Sequence, residues 1–82
     1  MQTDESDLSW VRGVFVHQFE IAEASIRPDA RLREDLRLES LDLVDLILEV
    51  ERRVGRRIEG EDMSGVRTVE DVLTLVARLR AH

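Results

Sequence analysis

Residues 40–54 read Ser-Leu-Asp-Leu-Val-Asp-Leu-Ile-Leu-Glu-Val-Glu-Arg-Arg-Val, with Gly55 directly after them. At about 100° per residue, Leu43, Leu46, Ile47, Val50 and Val54 gather on one side of a helix, enough to face a core. Leu41, Val44 and Leu48 form a second apolar row roughly 140° away. Asp42, Asp45 and Glu49 run beside that row at the same spacing. A half-buried helix has no need of a second row. Either the helix is central and buried on most sides, or the row is a docking face. The acidic stripe favours docking, because carboxylates are costly to bury. Gly55 stands where a glycine commonly stops a helix.

Outward from this segment the pattern remains helical. Leu8, Val11, Phe15 and Phe19 recur at helical spacing and predict a first helix over about residues 5–20, preceded by a frayed acidic start over residues 1–6. Asp4, Glu5 and Asp7 supply negative charge where a helix N-terminus favours it. Pro28 bars a helix from running past Arg27. Residues 21–39 are then a long connection, and Ile21, Ile26, Leu32, Leu36 and Leu38 predict that it is pinned to a core. Beyond Gly55, Ile58 is an expected core anchor and residues 61–65 one short helical turn. Thr68 and Asp71 resemble a capping box. Val69, Val72, Leu73, Val76 and Leu79 give a last amphipathic helix to about residue 80. The fold class expected is all-α: a small bundle of three to four helices, with a long loop between the first and second, forming one domain over residues 1–82.

Composition narrows the functional classes. The chain carries 18 Asp and Glu against 12 basic residues, all arginine, for a formal charge of −6. That balance disfavours nucleic acid and anionic lipid and favours basic protein surfaces. No cysteine is present, which excludes a disulfide, a redox dithiol and a thiolate zinc site. No apolar run approaches the ~18–20 residues of a membrane span, and no signal segment opens the chain, so a cytoplasmic location is expected. His17 and His82 lack acidic neighbours at metal-ligand spacing, and no metal site is expected. Ser40 lacks a Gly-x-Ser-x-Gly elbow and an obvious histidine partner. Trp10 is expected to pack, not to stack on a base, and pairs such as Glu34-Asp35 read as solvated loop charges.

The run Asp35-Leu36-Arg37-Leu38-Glu39-Ser40-Leu41-Asp42-Leu43-Val44-Asp45-Leu46 resembles the acyl carrier protein signature, in which Asp-Ser-Leu opens the second helix. The resemblance runs from about Val11 to the C-terminus. It implies a non-catalytic carrier whose Ser40 receives a 4′-phosphopantetheine arm from coenzyme A through a separate phosphopantetheinyl transferase. The arm's thiol then carries acyl groups between enzymes of fatty acid or polyketide-type synthesis, such as a ketosynthase, dehydratase or acyltransferase, with the carrier acting as a monomer. The outer apolar row and its acidic stripe make Leu41, Asp42, Val44, Asp45, Leu48 and Glu49 the partner-binding candidates. The resemblance also implies an acyl chain enclosed between the second and last helices, with Leu43, Leu46, Ile47, Val50, Val72 and Val76 as candidate lining. The same six residues could equally form an ordinary closed core.

Judged without the signature, Ser40 reads more readily as a plain N-cap, and only the whole signature favours attachment. Three departures from the family pattern stand out. Glu39 replaces the usual aspartate, Arg37 stands where many members have glycine, and Arg52, Arg53, Arg56 and Arg57 make the end of the second helix basic. The last departure predicts partners other than the basic-patch enzymes of primary fatty acid synthesis. Two alternatives remain: a carrier of aminoacyl or peptidyl cargo, whose members commonly have glycine before the serine, and a helical adaptor that bears no arm.

Overall fold

The computed structural model describes residues 5–80. Residues 1–4 of the expected acidic start, and His82, lie outside the described residues. Residues 5 and 6 already belong to the first helix. Four helices follow in order: α1 (Glu5–Gly13), α2 (Ser40–Val54), α3 (Gly60–Met63) and α4 (Val69–Arg80). Among the described residues there is no strand, only one isolated antiparallel bridge between Arg31 and Thr68. Among the described residues no helix is long and apolar enough to cross a membrane.

The first helix departs from the regular one expected over residues 5–20. After Gly13 it widens into a π-helical turn over Val14–Gln18. Phe19 N–H donates to Val14 O (3.4 Å) and Ile21 N–H to Phe15 O (3.0 Å). Gly13 and the β-branched Val14 and Val16 are weak helix formers, so the tighter register has little local support there. The wide turn leaves Phe15 fully buried, with the Phe19 ring 6.1 Å from it. Glu20 ends the segment at φ 56°.

The long connection is pinned as its apolar spacing predicts. Ile26, Leu32, Leu36 and Leu38 are buried, and Ile21 packs against the core from a half-buried position. Backbone bonds zip this loop to the start of α4: Leu32 N–H to Arg67 O (2.8 Å), Val69 N–H to Ala30 O (3.0 Å) and Glu70 N–H to Pro28 O (2.9 Å). Ala30 is fully buried at this seam. A Cβ of modest size lets the two backbones approach.

Both ends of the main helices are made by local chemistry. Gly55 closes α2 in the left-handed region (φ 75°), its N–H donating to Glu51 O at 2.8 Å. The Thr68–Asp71 capping box forms: Asp71 Oδ2 accepts from Thr68 N–H (3.1 Å) and Thr68 Oγ1 from Asp71 N–H (3.2 Å). Asp71 also accepts from Arg67 N–H (2.9 Å), and that bond leads in holding its carboxyl below the ordinary carboxylate value.

Asp7 has a different role from the helix-terminal charge expected of it. Its side chain is buried, and Oδ1 accepts from Arg53 Nη2 (3.0 Å) and Arg80 Nη2 (2.7 Å). One carboxylate thus ties α1 to α2 and α4. Arg53 also lies over the Trp10 ring, 5.5 Å from its centroid, which bears out Trp10 as a packing residue. Arg53 is therefore spent on the interior and does not belong with the basic end of a docking face. Arg52, Arg56 and Arg57 remain exposed there.

Candidate functional site

Ser40 is the first residue of α2, and Glu39 precedes it as the N-cap in extended backbone (φ −98°, ψ 175°). The Glu39 N–H donates to Asp42 Oδ2 at 2.9 Å. Asp42 therefore closes the first turn, the cap position falls to Glu39, and Ser40 is not the N-cap that its residue type alone allows. Ser40 is exposed, and its hydroxyl makes no hydrogen bond among the described residues. An unengaged oxygen at a helix start, beside backbone N–H groups with no intrahelical acceptor, suits attachment of an anionic group.

The approach to Ser40 is built by the end of the loop. Asp35 Oδ2 accepts from Arg31 N–H at 2.8 Å and from Arg31 Nε at 3.4 Å. The backbone bond, foremost, holds the Asp35 carboxyl below its ordinary value. Asp35 is thus the organiser of a turn and not merely a solvated charge. Leu36 and Leu38 then point into the core, with Arg37 between them at φ 61°. This is the left-handed region, which costs a non-glycine residue about 1–2 kcal/mol. The residue type noted in the sequence as replacing glycine therefore occupies a conformation that glycine adopts freely. The buried leucines on either side hold it there.

Around Ser40 lies a shallow hollow of about 580 Å³, lined by Arg33, Arg37, Leu38, Glu39, Ser40 and Leu41. A second, more enclosed cavity of about 390 Å³ lies between the loop, α2 and the α3 region. Leu32, Leu43, Ile47, Met63 and Val66 form its apolar wall, and Arg31, Arg33, Glu34 and Arg67 its polar one. Arg33 lines both.

The six acyl-lining candidates divide. Leu43 and Ile47 line the enclosed cavity, whereas Leu46, Val50, Val72 and Val76 are packed within the core. Leu32, Met63 and Val66 were not foreseen as lining. Only their apolar character, at positions flanking α2, could have signalled them.

The second apolar row stays outside. Leu41 is 79% exposed, Val44 50% and Leu48 45%, the three large hydrophobic residues left in solvent among those described. Asp45 is exposed beside them, while Asp42 and Glu49 are half-buried. Glu49 pairs with Arg52 at 3.1 Å. Four basic or acidic residues thus mark the face unevenly: Asp45 near its start and Arg52, Arg56 and Arg57 at its far end. His17 is exposed, and no group of three or more metal-binding side chains occurs among the described residues.

Residues 9–76 match the family model described as the phosphopantetheine attachment site. The chain is 40% identical over 79 residues to "Acyl carrier protein 2" of Ralstonia nicotianae, spanning 96% of this chain and 98% of that one. It is 42% identical over 73 residues to an acyl carrier protein of Saccharopolyspora erythraea, spanning 84% and 77%. An acyl carrier protein of Rubrobacter xylanophilus is 35% identical over 72 residues, spanning 88% and 89%.

Proposed function

The chain belongs to the acyl carrier protein family, and from that premise we propose that it carries its 4′-phosphopantetheine arm on Ser40 and shuttles acyl thioesters between the enzymes of a fatty acid or polyketide-type synthesis. One observation carries this reading: the Ser40 hydroxyl is exposed and unbonded at the first turn of α2, with the exposed Leu41, Val44 and Leu48 row leading away from it. On a separate transferase the Ser40 oxygen attacks the pantetheine-side phosphorus of coenzyme A, its proton passes to a base of that transferase, and the phosphoanhydride bond breaks with release of adenosine 3′,5′-bisphosphate. The carrier contributes position and a face to grip, and no catalytic group.

The enclosed cavity is the best supported shelter for the tethered chain. Its apolar wall of Leu32, Leu43, Ile47, Met63 and Val66 offers the acyl chain an apolar surface, while Leu46, Val50, Val72 and Val76 stay packed in the core. Partners dock over Leu41, Val44 and Leu48, with Asp45 meeting a basic group and Arg52, Arg56 and Arg57 meeting acidic ones. That mixed face is the reason to expect specialised partner enzymes.

Intact mass tests the attachment. After incubation with coenzyme A and a broad-specificity phosphopantetheinyl transferase, the wild type gains one phosphopantetheine and Ser40→Ala gains none. A gain retained in Ser40→Ala moves the arm elsewhere, and an unmodified wild type leaves the armless adaptor as the better reading.

A further inference from the structure

The hollow at Ser40 is lined by two arginines that no carboxylate among the described residues pairs with. Arg27, Arg31, Arg52, Arg53, Arg78 and Arg80 are ion-paired, and Arg12, Arg56, Arg57 and Arg67, which are not, line no part of this hollow. Arg33 and Arg37 line the hollow beside Ser40 and have neither an ion pair nor a side-chain hydrogen bond among the described residues. Glu39 lines it too, so the hollow carries two positive charges against one negative on a chain whose formal charge is −6. Surplus cations on an acidic protein, gathered at one serine, call for an anion. Arg37 is held there in a left-handed conformation that its residue type disfavours.

Resting on the reading of Ser40 as the attachment site, we infer that Arg33 and Arg37 form a seat for the phosphodiester that joins the arm to the protein. A phosphodiester carries one negative charge and two unesterified oxygens, which planar guanidinium forks recognise well. Glu39 keeps the seat from binding too tightly, since its carboxylate repels the same group. Arg33 adds direction. It lines the hollow at Ser40 and also the enclosed apolar cavity, so an arm whose phosphate rests on Arg33 leaves the serine toward that cavity. The two arginines thus bias the arm toward sheltering its cargo, and a partner enzyme must draw it off.

The test uses the full chain as wild type, Arg33→Gln, Arg37→Gly (a change suited to the backbone at that position) and the double variant. Each is converted to the holo form and verified by intact mass, and melting of each apo form checks the fold. The ³¹P resonance of wild-type holo protein is expected to be displaced from that of a phosphopantetheinyl-serine peptide and to return toward it as NaCl rises to about 1 M, where screening is short-ranged. In the double variant it should coincide with the peptide at every salt concentration, with the single variants between. Attachment should raise the wild-type Tm by roughly 1–4 °C, and the double variant should lose that gain. A fully loaded double variant whose ³¹P shift and Tm gain equal those of wild type would overturn the seat alone, even if it binds a partner enzyme less well. A wild type that gains no mass would overturn the attachment reading and the seat with it.

Discussion

Helices α2 and α4 are both rich in apolar residues and use them differently. Over 12 residues α4 buries Val69, Val72, Leu73, Leu75, Val76 and Leu79. Over 15 residues α2 buries only Leu46 and Val50, half-buries Leu43, Ile47 and Val54, and leaves Leu41, Val44 and Leu48 in solvent. The angular spread of the side chains accounts for this. Those of α4 occupy one broad arc that the bundle covers, whereas those of α2 fall in two rows and the bundle covers one. Apolar surface kept outside a fold contributes little to its stability, and the row on α2 is the one for which docking is proposed above.

The widest separation between the two rows comes from deleting one leucine at a time. Leu46→Ala should cost about 2–5 kcal/mol, because it empties a packed site. Leu41→Ala should stay within about 0.5 kcal/mol of wild type. Urea denaturation of both variants measures the contrast, and equal losses would break it.

A second perturbation acts on the tie between the two helices. Asp7→Asn removes the charge shared by Arg53 of α2 and Arg80 of α4. A loss of about 2–3 kcal/mol is expected in the same denaturation experiment. It falls below that of a fully buried pair because Arg80 is partly in water.

The outer row should show itself in binding. Asp45→Arg, beside Leu41 and Val44, should weaken docking to a cognate synthesis enzyme by about tenfold or more, which corresponds to about 1.4 kcal/mol. Circular dichroism should be unchanged. Lost helicity with retained binding would reverse the assignment of the two rows.

The smallest effect is the acid dependence of the α4 cap. The folded-state carboxyls of Asp71 and Asp35 are lowered from 3.8. Their contribution is fully present above that value and is lost as pH falls through the lower folded one. The stability gap between wild type and Asp71→Asn should therefore be constant from about pH 5 upward and should close below the ordinary carboxylate range. A gap that widens with acidification would contradict the cap geometry.

Much of this arrangement was legible in the chain because it is local. Gly55, the Thr68–Asp71 box and the two rows of α2 follow from spacing and from the preferences of individual residues, and the loop anchors follow from being apolar where a free loop would be polar. Features made by distant partners were not legible. Asp7 is 46 residues from Arg53 and 73 from Arg80, and no periodicity connects them. Reading Arg53 as part of a basic docking end failed for that reason. The wide turn after Gly13 was missed because Val11, Phe15 and Phe19 keep a regular spacing while the backbone beneath them does not. At the site, residue type alone allowed Ser40 to be the cap. Whether Ser40 or Glu39 takes that position depends on where the extended backbone ends, and the position of Asp42 decides it.

The seam between Ala30–Leu32 and Arg67–Val69 couples the C-terminal helix to the approach to Ser40. Its bonds join residues far apart along the chain, so closing it costs loop entropy that the packing of α4 on α2 must offset. The turn bonds of the loop, such as Leu38 N–H to Leu32 O (2.9 Å), are local and do not depend on α4. Damage to the start of α4 would therefore loosen how the loop is anchored while leaving its own turns intact.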